Sequence, residues 1–168
     1  MIEQTLVLIK PDGVKRSLIG EIIKRYESAS LIVVDLKLLR AEKDIVGQHY
    51  PEEDEYMISL GKKSAAAGDE VGDFKEHGRM IVRALREYIT SGPIAAVVLE
   101  GDDAIARVRK ITGYTDPKSA DKGTIRGDLG EDSILEANRE KRPVKNLIHA
   151  SGTMEEAKRE IKLWFPDA

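Results

Sequence analysis

Cysteine is absent from the 168 residues, which excludes disulfides and thiolate metal sites and fits a reducing compartment. Aromatic residues make up only 5%, too few for a sheet that displays stacking rings to nucleic acid. Positive charge is not in excess either: 27 Lys and Arg face 30 Asp and Glu, for a net charge of −3, so no overall basic field draws in nucleic acid. Long apolar runs are missing. Residues 31–34 and 94–99 are the longest, far short of the roughly 20 residues that span a bilayer. Met1-Ile2-Glu3-Gln4 also lacks the basic start and apolar centre of a signal peptide. The expectation is a cytoplasmic protein with no membrane partner and no specific nucleic-acid partner.

What is present suits one domain over residues 1–168, with 41% hydrophobic and 34% charged residues. Residues 5–9 are β-branched and apolar, as a buried central strand requires. That run ends at Lys10, where Pro11-Asp12-Gly13 supplies a turn and a sharply defined strand exit. Taken alone, the lysine fits a solvated charge as well as a phosphate ligand. Ser17 is the expected N-cap of a helix over residues 18–29, in which Leu18, Ile19, Ile22, Ile23 and Tyr26 recur at helical spacing. Residues 31–39 predict a second strand, with Val34, Leu36 and Leu38 on one face and Asp35 and Lys37 on a wet one, near an edge or under little cover.

A short helix is expected over residues 44–50, stopped by Pro51. Residues 52–80, acidic at first and then rich in glycine and alanine, read as helical turns joined by loops. The spacing of Ile81, Val82, Leu85 and Ile89 predicts a helix over 79–90, ended by Ser91-Gly92-Pro93. A third strand over 94–99 leads into a helix through Ile105, Val108 and Ile111. Residues 112–130 form a glycine- and charge-rich loop of the length that is usually functional or disordered, and 131–142 add a helical turn. A fourth strand carries His149. The last helix opens on a capping box of Thr153 and Glu156 and buries Ala157, Ile161 and Trp164. The order gives a β-α-β-β-α-β core with additions, an antiparallel sheet covered by helices.

The stretch Asn146-Leu147-Ile148-His149-Ala150-Ser151 sets a histidine at the end of an apolar run and just before a helix start, where backbone holds an imidazole rigidly at a sheet rim. Neutral imidazole is a competent nucleophile near neutral pH, and its attack on a phosphoryl group divides one transfer into two easier steps. A satisfied structural histidine gives the same local pattern, so the remaining motifs decide. They are Lys10-Pro11-Asp12-Gly13, the helix from Leu18 to Ile23, His49-Tyr50, Ser91-Gly92-Pro93, Glu100-Gly101, Gly123-Thr124-Ile125-Arg126-Gly127-Asp128, Asn146 with Ile148-His149, and Glu160 with Trp164-Phe165.

In this order the motifs resemble the nucleoside diphosphate kinase family, over about residues 3–165. The resemblance implies a ferredoxin-like α/β (α+β) sandwich with a four-stranded antiparallel sheet. It also implies transfer of the γ-phosphate of a nucleoside triphosphate to a nucleoside diphosphate through a phosphohistidine, with Mg2+ accompanying the nucleotide. On that reading His149 attacks the phosphorus in line and Glu160 supports its imidazole. Arg109 and Arg126 offer planar forks to the phosphates, Lys10 a point charge and Thr115 a hydroxyl. Asn146 and Lys10 hold the sugar hydroxyl, Tyr50 lies beside the phosphates, and Ser151 stands next to the histidine–glutamate pair. No side chain is assigned to a metal. Family members are commonly hexamers or tetramers, so a homo-oligomer is expected. His77 has no matching role and reads as solvated.

The chain departs from the family pattern in places. Residues 52–80 are longer than usual and lack the Pro-Phe-Phe that supplies a stacking ring, which leaves Ile81 as an aliphatic base contact or Tyr56 or Phe74 as a replacement. Residues 131–143 add length beside the nucleotide entrance. Ala150 and Gly152 replace the usual glycine and aspartate after the histidine, and three residues follow Phe165. One rival reading is a catalytically silent nucleotide-binding regulatory protein on the same fold, against which stands the presence of both His149 and Lys10. The other is a ferredoxin-like nucleic-acid-binding or interaction module, disfavoured by 5% aromatics and mainly aliphatic strands, and a metal hydrolase is weaker still because the three histidines are scattered with no shared ligand spacing.

Overall fold

The computed structural model describes residues 1–167. The apolar run at 5–9 lies within the central strand β1 (Ile2–Ile9). Its Val7 and Ile9 enter one core and its Leu6 and Leu8 another, all fully buried. β1 pairs antiparallel with β3 (Ile94–Asp102) on one side and with the short β4 (Ile148–Ala150) on the other. β3 also pairs with β2 (Ile32–Leu39), giving the order β2-β3-β1-β4. This is the expected ferredoxin-like α+β sheet, with both faces in use. Period-two alternation explains how: Ala95, Val97 and Leu99 follow Val7 into the first core, while Ile94, Ala96 and Val98 follow Leu6 into the second.

Helices α2 (Ile19–Ser28) and α6 (Ala104–Thr112) cover the first face through Ile22, Tyr26, Ala104 and Val108. The second face is covered by α3 (Lys43–His49), α4 (Asp54–Ala66), α5 (Phe74–Thr90) and α9 (Met154–Trp164), through Val46, Met57, Val82, Ile89 and Trp164. Each fully buried aliphatic side chain of this kind contributes about 1.5–3 kcal/mol by leaving water.

Several sequence expectations are corrected. Lys10-Pro11-Asp12-Gly13 opens a short helix, α1 (Pro11–Lys15), because proline at the first position has its φ preset and lacks only an N–H that would be unpaired anyway. Ser17 does not cap α2: it sits at φ 58 in the joint that closes α1, where its N–H donates to Val14 and that of Leu18 to Gly13, and Leu18 stands at the N-cap with no side-chain bond. β2 lies at the sheet edge as expected, but a register shift between Val33 and Asp35 turns its apolar row outward, so Val34, Leu36 and Leu38 are exposed. His77 is largely buried, with Nε2 3.3 Å from Asp69.

The segment at 52–80 is more regular than its composition indicated. α5 starts at Phe74, where Asp73 accepts from the N–H of Glu76 at 2.8 Å. α4 and α5 form a tight hairpin, since a Cβ at Gly61 would strike the backbone of Phe74 and one at Gly78 that of Met57. The 112–130 loop holds a 3-10 turn (Pro117–Ser119) and α7 (Ile125–Leu129), and α8 (Ile134–Arg139) follows, capped by Ser133. At the start of α9, Thr153 accepts from the N–H of Glu156, whose carboxylate takes the N–H of Gly152, one residue earlier than a capping box requires.

Candidate active site

The position of His149 is set two residues earlier. The N–H of Ile148 donates to the carbonyl of Asn146 at 2.8 Å, closing a three-residue turn with Leu147 at φ 70. Such a residue costs about 1–3 kcal/mol and persists only where its surroundings over-determine it. Here they do. The carbonyl of Leu147 accepts from the N–H of Lys10 at 2.8 Å, its N–H donates to Asp12 at 3.1 Å, and its side chain is fully buried. Arg126 donates from Nε to the Asn146 carbonyl at 3.1 Å, from Nη1 to that of Gly113 at 3.1 Å, and from Nη2 to that of Ile148. Arg126 therefore holds the turn as well as facing the cavity. Three of its N–H groups are spent on carbonyls, and the rest of the fork remains for a ligand.

His149 Nε2 lies 3.1 and 3.0 Å from the two carboxylate oxygens of Glu160, which α9 brings in two turns after its cap. Ser151 donates to the same carboxylate at 2.7 Å. Burial opposes charge on Glu160, but His149 and the Ser151 hydroxyl outweigh it and hold the carboxyl at about 2. An ionised acceptor places the ring proton on Nε2 and leaves Nδ1 as the free nitrogen. His49 packs edge to face on His149 at 4.3 Å, and Trp164 donates to His49 Nδ1 at 3.1 Å. Burial, then the neighbouring His149, push His49 well below the usual imidazole range, so it is neutral. Sequence reasoning gave His49 no role beyond its motif, because its partners lie some hundred residues away. The one available signal was that His49-Tyr50 and Trp164-Phe165 belong to the same motif set.

The His149 ring lines a cavity of about 450 Å³ together with Lys10, Tyr50, Arg109, Thr115, Arg126 and Asn146, so every expected nucleotide contact is brought to one place. Buried Lys10 donates to Asn146 Oδ1 at 2.8 Å, and Asn146 Nδ2 donates to the Thr115 carbonyl at 3.0 Å. Burial first, and then Arg126, lower Lys10 to about 8. Burial likewise takes Arg126 to about 10, which leaves it charged at neutral pH. Tyr50 is pushed well above its usual range by burial and stays a neutral donor. Arg109 is exposed, and its guanidinium has no hydrogen-bond partner among the described residues. Lys63, Lys141 and Arg142 add to the positive lining, against Glu156 as the one acidic residue among those described. Farther along, Tyr56 and Ile81 line the cavity, whereas Phe74 does not.

His49, His149 and Glu160 bring three candidate metal-ligand atoms within 4.8 Å of one another, a grouping the scattered sequence positions did not foretell. Hydrogen bonds account for it: His149 Nε2 is paired with Glu160, and His49 Nδ1 accepts from Trp164. No helix among the described residues is long and apolar enough to cross a membrane.

A cation-lined cavity ending on a carboxylate-backed imidazole is suited to polyphosphate ligands and to phosphoryl transfer onto a ring nitrogen, which defines by class a phosphotransferase on a ferredoxin-like sheet. Known proteins narrow this. The family model described as nucleoside diphosphate kinase matches residues 3–59 and 53–168. A nucleoside diphosphate kinase of Pyrobaculum aerophilum is 45% identical over 174 residues, covering 98% of this chain and 95% of that one. One of Mycobacterium avium is 43% identical over the whole of both chains. Among solved structures, an NDP kinase from Pyrobaculum aerophilum superposes with a TM-score of 0.92 at 42% identity, over 99% of this chain and 97% of that one. A transition-state mimic of the Borrelia burgdorferi nucleoside-diphosphate kinase with bound vanadate and ADP gives 0.81 at 34%, over 99% and 88%. The chain belongs to the nucleoside diphosphate kinase family.

Proposed function

We propose that the protein transfers the γ-phosphate of a nucleoside triphosphate to a nucleoside diphosphate in two displacements through phosphorylated His149. One observation carries this: Glu160 occupies Nε2, so Nδ1 is the free nitrogen of a ring that lines a positively charged cavity. The Nδ1 lone pair forms a bond to the γ-phosphorus as the bond to the β–γ bridging oxygen breaks, and the nucleoside diphosphate leaves with that electron pair. A terminal oxygen of the second diphosphate then takes the phosphoryl group from Nδ1. Nε2 keeps its proton on Glu160 throughout, and the carboxylate stabilises positive charge that develops on the ring. Lys10, Arg109 and the unspent part of the Arg126 fork neutralise the phosphate oxygens, with Thr115, Tyr50 and Asn146 as polar contacts.

The substrate is proposed to be the magnesium complex of the nucleotide. With Glu156 as the one lining carboxylate among the described residues, already accepting from Gly152, the residues suit an ion carried in on phosphates rather than caged by protein. Both sheet faces share one set of central strands, which supports a single domain, and the lack of cysteine supports a cytoplasmic setting. Exposed Ile32, Val34, Leu36 and Leu38 on the edge strand β2 support assembly with further copies, since an open apolar edge favours pairing. Sedimentation of the full chain is expected to give a hexamer or tetramer; a monomer contradicts that part. The transfer mechanism is tested by initial rates with donor and acceptor varied together. Parallel double-reciprocal lines are expected; intersecting lines, or an absence of turnover with intact nucleotide binding, overturn it, the latter in favour of a regulatory role.

A further inference from the structure

The two segments that depart from the family pattern, 52–80 and 131–143, meet. Asn138, at the end of α8, donates from Nδ2 to Ser64 Oγ at 2.8 Å and to Asp69 Oδ2 at 2.9 Å. Among the described residues these are the hydrogen bonds that join the two segments. Ser64 is buried and His77 packs beside Asp69, so the receiving side is ordered. The donating side is ordered too. Asp116 accepts from the N–H of Ile134 at the start of α8 at 3.2 Å, and Asp132 accepts from Arg142 at 2.6 and 2.9 Å and from the N–H of Lys145 at 2.8 Å.

Both Asn138 and Ser64 line the cavity. Its phosphate end is the Lys10, Arg126 and His149 end. The remainder is lined by Tyr56, Leu60 and Ile81 of the α4–α5 hairpin and by Ile134, Pro143 and Val144 from α8 and the chain after it. Apolar side chains from both segments, with Lys63 on the first and Lys141 and Arg142 on the second, suit a nucleoside whose flat base is held largely by area. The Asn138 bonds cross from one segment to the other.

We infer that Asn138 is a positioning residue that fixes the spacing of these segments and thereby sets how tightly and how long a nucleoside is held. This rests on the phosphotransfer reading for the ligand's identity, but not for the measurement. The tie touches none of His149, Glu160 or Lys10, so breaking it loosens nucleotide binding and leaves the phosphoryl step alone. Asn138→Asp faces the Asp69 carboxylate with a second one and opens the tie. Asn138→Ala removes the donor without adding charge. Asn138→Asp combined with Asp69→Asn restores a donor and acceptor pair in reverse.

The experiment uses the full chain and a nucleoside diphosphate carrying a ribose fluorophore, with dissociation rate and Kd read by stopped flow. A separate single turnover with saturating γ-labelled ATP reads the phosphoryl step. Asn138→Asp is expected to raise the dissociation rate and Kd about tenfold, or about 1.4 kcal/mol, with Asn138→Ala intermediate and the double variant back near the parent. The single-turnover rate stays within twofold in all three. Nucleotide release unchanged in both single variants, or a double variant no tighter than Asn138→Asp, overturns the inference. A parent protein that binds the fluorescent diphosphate but takes no label refutes the phosphotransfer reading while leaving this test intact.

Discussion

Replacing Glu160 with glutamine removes a charge from the site and little else. The amide keeps an oxygen for the Nε2 proton of His149 and for the Ser151 hydroxyl, now 3.0 and 2.7 Å from the carboxylate. What is lost is a charged acceptor. Hydrogen bonds to charged groups contribute about 1.5–3 kcal/mol against roughly 0.5–1.5 for neutral ones. A unit charge developing on the ring about 4 Å away gains at most about 4 kcal/mol at an effective dielectric of roughly 20. The loss therefore lies between about 1 and 4 kcal/mol, or roughly fivefold to a thousandfold in rate. It should appear in the single-turnover rate of phosphoenzyme formation at saturating ATP. Nucleotide Kd should stay within twofold, because Glu160 is not among the cavity-lining residues. The carboxyl is held low, near about 2, so its stabilising contribution is complete above the unfolded carboxylate range and is lost as pH falls toward 2. Acid unfolding should accordingly steepen in the parent relative to Glu160→Gln. A glutamine variant that forms phosphoenzyme within twofold of the parent rate, or whose defect is all in Kd, refutes the reasoning.

Lys10 is lowered to about 8 by burial and Arg126, so nucleotide affinity of the free enzyme should fall as pH rises through about 8 and the lysine loses its charge; titration calorimetry should show this profile flattened in Lys10→Gln. Arg126→Lys keeps a charge but cannot hold three carbonyls, and kcat/KM should drop by about 2.7–4 kcal/mol in barrier, equally for ATP, GTP, CTP and UTP, with a loss confined to one base counting against the assignment. Gly78→Ala forces a Cβ against the Met57 backbone and should lower stability to denaturant by about 1–3 kcal/mol while weakening nucleotide binding, because the same hairpin walls the cavity; unchanged stability would show that the helices can part at no cost.

The sheet was legible because β1 and β3 are apolar on both faces and bounded by Lys10 and by Ser91-Gly92-Pro93, so period and punctuation agree. β2 shows the limit: its alternation was visible, but the bulge that points Val34, Leu36 and Leu38 at solvent depends on pairing with Leu99 and Val98, which no local pattern contains. The α4–α5 hairpin was blurred because Gly61, Gly72 and Gly78 read as breakers, whereas Gly61 and Gly78 are there to let two backbones touch. In the site, the residues expected to face phosphates were named from motifs, and they line one cavity. Two features lay beyond sequence. Arg126 spends much of its fork on the turn that carries His149, and His49 is joined to Trp164 across 115 positions; both are consequences of long-range packing.

The central claim is that His149 carries the phosphoryl group between nucleotides. A single turnover with γ-labelled ATP and no acceptor, quenched in alkali and mapped by peptide, tests it most directly. The account predicts acid-labile label on His149, discharged when a nucleoside diphosphate is added, and none on a His149→Ala variant that still binds nucleotide. Label that survives in His149→Ala, that lies on another residue, or that never forms in the parent contradicts it.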